Sequence, residues 1–303
     1  MPVSRLRLRE HGLECSRIAL GFWRLAEWRM TPKQVLDLTH AGLDLGMTTI
    51  DHADIYGGYA CEGLFGAALA LEPSLRQRLE LVTKGGVKLV SSNRPAHTSH
   101  YYDTGRAHLL ASAENSLREL RTDYLDLLLI HRPDPFMDAD EVAEAFTTLR
   151  QAGKVRHFGV SNFTPSQFDL LASRLDFPLV TNQVEISVLR LDAFLDGTLD
   201  QCQRLRLAPM AWSPLGGGGL FTSQNEQAVR LRAALNAVGE QLGGASLDQV
   251  ALAWLLAHPA WLMPVLGTGK IERVQAAASA EGMKMTPEQW FAIWTASTGV
   301  EVP

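Results

Sequence analysis

Cysteine is scarce in this chain. Cys15, Cys61 and Cys202 stand far apart, with no C-x-x-C pair. That spacing argues against a disulfide framework and a zinc ribbon, and fits a reducing compartment. No run of Lys or Arg occurs, and 28 basic residues face 33 acidic ones for a net charge of −5. Nucleic acid is therefore excluded as the main partner, because a phosphate backbone demands a basic face. The longest apolar stretches, 124–130 and 250–257, are too short or too interrupted to cross a bilayer. The opening residues hold no apolar core of a secretory signal, so a cytoplasmic protein without a membrane partner is expected. Also missing are H-x-H, H-E-x-x-H, G-x-S-x-G and G-x-x-x-x-G-K-[ST]. Metallohydrolase, serine-hydrolase and P-loop readings lose their support with them.

What is present is an alternation of short apolar runs with amphipathic stretches. The runs 18–22, 48–52, 79–83, 124–131, 156–161, 179–184, 208–213 and 262–266 read as eight strands. Helical patterns lie between them. Thr31-Pro32 and Thr164-Pro165 are N-cap and first-turn pairs, the second opening a helix through Leu175. Crossover helices imply parallel pairing, which leaves an open doubly wound sheet or a closed barrel. After the first strand the chain reads Leu20-Gly21-Phe22-Trp23-Arg24, with one glycine, so the dinucleotide fingerprint of the open sheet is absent. The expectation is an α/β fold, a (β/α)8 TIM barrel over residues 1–303 as one domain. A short N-terminal β-hairpin around Gly12 precedes it, and a Trp-rich helix after Thr286-Pro287 packs outside. Residues 91–104 read as a loop.

A parallel barrel carries its chemistry where the strands end. Asp51, Tyr56, Lys84 and His131 stand at such ends and form a plausible proton-delivery set. A phenol with an ordinary pKa near 10 is a poor acid–base group at neutral pH, and a neighbouring ammonium lowers that value. A carboxylate holds the ammonium, and an imidazole supports an oxygen that gains charge. Singly, each residue has a plain alternative: a helix cap, a core tyrosine, a surface lysine, a buried histidine. Asp51-His52-Ala53-Asp54 lacks the further ligands a metal needs.

At these positions the chain resembles the aldo-keto reductase superfamily, and within it the bacterial oxidoreductases of the YdhF type. The resemblance runs through Asp51-His52-Ala53-Asp54-Ile55-Tyr56-Gly57, Val82-Thr83-Lys84, His131-Arg132-Pro133, Gly159-Val160-Ser161-Asn162-Phe163, Thr181-Asn182-Gln183-Val184-Glu185, Ala211-Trp212-Ser213-Pro214-Leu215 and the segment from Gly267 to Val274. It implies NADP(H)-dependent reduction of an aldehyde or ketone, a small-molecule carbonyl substrate. Tyr56 would be the proton donor, with Lys84, Asp51 and His131 as its supports. Ser161, Asn162 and Gln183 would bind the nicotinamide carboxamide, and Trp212 would stack on the ring. Ser213, Leu215, Gly216, Gly217 and Gly219 would strap the pyrophosphate. Gly267, Thr268, Gly269, Lys270 and Arg273 would hold the 2′-phosphate end, which is the reason for preferring NADP(H) over NAD(H). Ala276-Ala277 replace the Glu-Asn of many members, so adenine hydrogen bonds are not expected there. His52, where threonine is common, would touch the cofactor ribose or pack. Trp23, Trp28, Tyr101, Tyr102 and Phe136 are the candidate walls of the substrate pocket. The alternative is a cofactor-binding regulatory or interaction protein on the same barrel.

Overall fold

The structure is a computed structural model that describes residues 2–10 and 12–303. β1 (Arg5–Arg7) and β2 (Glu14–Ser16) form the expected antiparallel hairpin. Eight strands then close a barrel: β3 (Ala19–Gly21), β4 (Thr49–Asp51), β5 (Glu80–Gly85), β8 (Leu125–Ile130), β9 (Val155–Ser161), β10 (Leu179–Glu185), β11 (Met210–Trp212) and β12 (Met263–Leu266). Every neighbouring pair is parallel, including the closing pair of β12 with β3. The remaining two strands, β6 (Val87–Lys88) and β7 (Tyr101–Tyr102), pair antiparallel outside the barrel. The stretch read as a loop, 91–104, is a loop apart from Tyr101–Tyr102, which pairs with Val87–Lys88 as a second hairpin. Its strands are two residues long, too short to leave a periodic signal.

Strand alternation sorts the side chains of the barrel. Val82 of β5, Leu127 and Leu129 of β8, Met210 of β11 and Val265 of β12 share one interior cluster with Leu6, Leu8, Leu13 and Cys15. The hairpin thus supplies part of the barrel filling. Leu8 accepts from Ala208 N at 2.7 Å, and Arg9 Nη1 donates to the carbonyl of Leu179 at 2.8 Å. Residues 179 and 208 stand at strand beginnings, so the hairpin covers that end and leaves the strand ends facing an open cleft. In β8 the face that buries Leu127 and Leu129 next presents His131.

Local chemistry starts and stops the helices. Thr31 with Gln34, Thr164 with Gln167 and Thr286 with Gln289 form capping boxes with Pro in the first turn. The second helix ends at Ala172 rather than Leu175, with Ser173 as its C-cap. The C-terminal helix Pro287–Thr298 packs outside, as its Trp content implied. Trp290 stacks on Trp254 with ring centroids 4.7 Å apart, and each indole N–H donates to the other residue's carbonyl at 3.0 and 3.1 Å.

The helix Cys61–Leu69 approaches the helix Arg106–Leu120 at Gly66, where an added Cβ would stand 2.0 Å from the Glu119 carbonyl oxygen. Backbone cannot swing aside as a side chain can. Gly66→Ala should therefore lower the urea unfolding free energy by about 1–3 kcal/mol. An unchanged midpoint would refute this reading of the helix contact.

Candidate active site

Asp51 ends β4, Lys84 lies near the end of β5, and His131 follows β8. Tyr56 stands in the turn after β4. The barrel brings all four together. The Lys84 ammonium is buried and donates to Asp51 Oδ1 at 2.9 Å and Oδ2 at 2.8 Å, to the His52 carbonyl at 2.7 Å and to Tyr56 Oη at 3.1 Å. Burial opposes its charge, but Asp51 and Tyr56 outweigh burial and hold the ammonium above its usual pKa. His131 packs edge-on to Tyr56 with centroids 5.7 Å apart, and its Nδ1 is buried without a partner.

Burial pushes the Tyr56 phenol above its ordinary value, and the Lys84 ammonium offsets only part of that. The sequence expectation of a lowered pKa is corrected to this extent: Lys84 pulls in the expected direction, and desolvation wins. The phenol therefore stays protonated at neutral pH. Burial drives His131 well below the usual imidazole value, and the charges of Lys84 and Arg132 add to the effect, so its ring is neutral.

A second set of bonds locks the next three strand ends. Gln183 Nε2 donates to Asp51 Oδ1 at 2.8 Å, which fixes the carboxylate from the opposite side of the barrel. Ser161 Oγ donates to the Gln183 carbonyl at 2.7 Å, and Asn162 Nδ2 donates to Ser161 Oγ at 2.8 Å. The Trp212 indole donates to Asn162 Oδ1 at 2.9 Å, which sets the tilt of its ring. Asn162 at φ 61° and Ser213 at φ 50° both adopt the left-handed region at these strand ends. Such conformations are costly and persist only where neighbours fix them.

These groups border a cleft of about 1110 Å³, more than the roughly 300–1,000 Å³ of a pocket for one small ligand. Asp51, Tyr56, His131, Ser161, Asn162, Gln183 and Trp212 line one part, and Lys84 lies buried beneath. Ser213, Leu215 and Gly217 line a second stretch, and Gly267, Thr268 and Arg273 a third. Trp23, Tyr101 and Tyr102 stand at its border as expected.

Other expected positions fall outside the cleft lining. Gly216 abuts Leu189, and Gly219 begins the turn Gly219–Thr222. Trp28 packs on Gly269, its ring 2.8 Å from where a Cβ would stand, and neither residue lines the cleft. Lys270 is the N-cap of the helix Ile271–Ala280. Phe136 is 94 % exposed, held outward where its N–H donates to Asp134 Oδ1 at 2.8 Å. Trp28 and Phe136 are thus corrected as pocket walls. Arg24, Val87, Lys88 and Arg132 line the cleft and were not expected there, whereas His100 and Gly218 belong to loops that the sequence placed at its border. Val87 and Lys88 arrive on the hairpin that the sequence did not reveal, whereas Arg132 was visible as the neighbour of His131.

The sequence profile described as "Aldo/keto reductase family" matches residues 17–297. The chain belongs to this family. It is 55 % identical over 301 residues to Oxidoreductase YdhF of Escherichia coli, covering 99 % of this chain and 100 % of that one. It is 45 % identical over 291 residues to a 6-dehydroglucose reductase of Agrobacterium fabrum, covering 96 % and 97 %. Among solved structures, an aldo/keto reductase from Klebsiella pneumoniae in complex with NADP and acetate superposes with a TM-score of 0.78 at 27 % identity, covering 98 % of this chain and 97 % of that one.

In this family member His52 packs. Its ring is fully buried, stacked on Phe22 at 5.3 Å and edge-on to Phe65 at 4.8 Å, with no hydrogen bond at either nitrogen. Burial and the Lys84 charge push it down to about 3. An unfolded histidine takes up its proton near pH 6.5. Between those values unfolding binds a proton, so acid destabilises the fold through this residue by up to about 1.4 kcal/mol per pH unit. Leucine removes two unsatisfied polar atoms and carries no proton. His52→Leu should be at least as stable as the parent at pH 7.5, with an advantage in urea midpoint that grows from pH 6.5 to 4.5. An advantage that stays constant with pH would contradict this.

Proposed function

We propose that this aldo/keto reductase family member reduces an aldehyde or ketone to the alcohol with NADP(H), residues 1–303 acting as one barrel unit. The observation that carries the reading is the 3.1 Å contact of a buried ammonium with the Tyr56 phenol at the floor of the cleft, beside a neutral imidazole. The donor set fits a dinucleotide. Gly218 and Gly267 line the cleft, and a Cβ on either would meet nothing, so backbone stands open to a bound group at both. Arg273 lines the same cleft and supplies a cation for a phosphate. The solved relative in complex with NADP supports the same assignment.

In this reading the bound nucleotide supplies the hydride. The rest is done by the chain. Tyr56 donates its phenolic proton to the carbonyl oxygen, and the Lys84 ammonium stabilises the phenolate left behind. Asp51, pinned by Gln183, keeps Lys84 charged and aimed. His131, neutral and partly desolvated, donates its ring N–H toward the same oxygen as charge develops there. Ser161, Asn162 and Gln183 offer polar groups at the carboxamide end, Trp212 an aromatic face, Ser213, Leu215 and Gly217 a strap, and Thr268 and Arg273 the phosphate end.

Tyr56→Phe should cut kcat for reduction of a simple aldehyde by about 10²-fold or more and leave the NADPH dissociation constant, read by fluorescence titration, unchanged. Turnover within a few-fold of the parent would remove the proton-donor role. The pH profile follows from the two shifts. Reduction needs the phenol protonated and the imidazole neutral. With Tyr56 raised above 10 and His131 well below 6.5, kcat/KM should be flat from pH 6.5 to 9 and fall only at more alkaline pH. An inflection near neutrality would contradict both assignments. Arg273→Ala should weaken NADPH binding far more than NADH binding, and equal weakening would undo the stated cofactor preference.

A further inference from the structure

Of the cleft's cations outside the phosphate end, Arg132 is the one with neither a carboxylate nor a hydrogen-bond partner among the described residues. Arg273 stands with Gly267 and Thr268. Arg24 Nη2 donates to the Gly217 carbonyl at 3.0 Å, on the glycine strap. Lys88 is neutralised by Asp103 at 2.5 Å and also donates to Tyr101 Oη at 3.0 Å. Arg132 has no such partner. It is half-buried, lines the cleft directly after His131, and pairs with no carboxylate among the described residues. Its guanidinium lies over the Trp212 ring, 5.4 Å from the central carbon to the centroid.

The charge balance of the cleft sharpens the point. Its lining carboxylates are Asp51 and Asp248. Lys84 neutralises Asp51, and Asp248 accepts from the Ser246 hydroxyl at the start of its helix. Neither offsets Arg132. An unpaired guanidinium on an aromatic face, beside the reacting groups, is a preformed fork for two anionic oxygens. It is also near enough for its charge to act on both Tyr56 and His131.

We propose that Arg132 selects carbonyl substrates that carry an anionic oxygen group, a carboxylate or a phosphate ester, in the same molecule. The proposal rests on the reductase reading above, since that reading defines the substrate. The fork binds the anionic group away from the reaction while Tyr56 and His131 hold the carbonyl oxygen. Such an interaction is felt mainly in KM, because it is made equally in the ground state and the transition state.

The test compares kcat/KM at saturating NADPH for two matched pairs, 5-oxopentanoate against pentanal and glyceraldehyde 3-phosphate against glyceraldehyde. The parent should favour the charged member of at least one pair by about 10-fold or more, and which pair responds identifies carboxylate or phosphate. Arg132→Gln should erase that preference, KM for the charged member rising by about 10-fold more than KM for the neutral member of the same pair. Arg132→Lys should keep part of the preference, since it retains charge without the fork. Equal efficiencies within both pairs would overturn the proposal. So would a loss in Arg132→Gln that falls equally on charged and neutral members, or a weakened NADPH dissociation constant, which would assign Arg132 to the nucleotide. Turnover of pentanal and glyceraldehyde by the parent reads the reductase assignment by itself, so the two can fail separately.

Discussion

The arrangement depends on one ammonium kept charged inside a closed barrel. Burying an ion costs several kcal/mol unless other groups replace its water. Lys84 has both oxygens of Asp51, the His52 carbonyl and the Tyr56 hydroxyl around it. Each comes from the strand or turn beside β5, so parallel pairing of β4 with β5 is what assembles them. Gln183 holds Asp51 from across the barrel. Losing one member would leave another unpaired in a dry interior. The site is in that sense part of the folded core.

The same architecture divides the labour between the two ends of the barrel. The N-terminal hairpin fills the end where the strands begin, with Leu6, Leu8 and Cys15 beside Val82 and Met210. That end is packed mainly with hydrocarbon. Toward the strand ends the interior turns polar, and burial there sets the protonation states. It raises Tyr56 and lowers His131. A phenol is kept protonated and an imidazole is kept neutral by one cause, desolvation, acting on groups of opposite charge type. His52 feels the same desolvation with no chemical return, which makes it a local cost of this packing.

Most of the eight strands were legible because they are apolar runs closed by a polar residue, and the capping pairs at Thr31, Thr164 and Thr286 marked helix starts. The tetrad was legible because strand ends converge once a barrel is inferred. Other features were not. The hairpin of Val87–Lys88 with Tyr101–Tyr102 is set by tertiary contact, including the Lys88 pair with Asp103. Gln183 was read as a cofactor contact, and the structure shows its amide bracing Asp51, a cross-barrel bond between residues 132 positions apart. Trp28 and Phe136 failed as pocket walls for opposite reasons. The first packs down on Gly269 and the second is held out in solvent. An aromatic residue near a strand end carries no mark of which way it turns.

The most direct test of this account is the single-turnover rate of aldehyde reduction by Lys84→Met with NADPH prebound. Methionine preserves the volume and removes the charge. The account predicts a rate about 10²-fold or more below that of the parent, with the nucleotide dissociation constant unchanged. A rate within a few-fold of the parent, in a folded variant that still binds nucleotide, would contradict it.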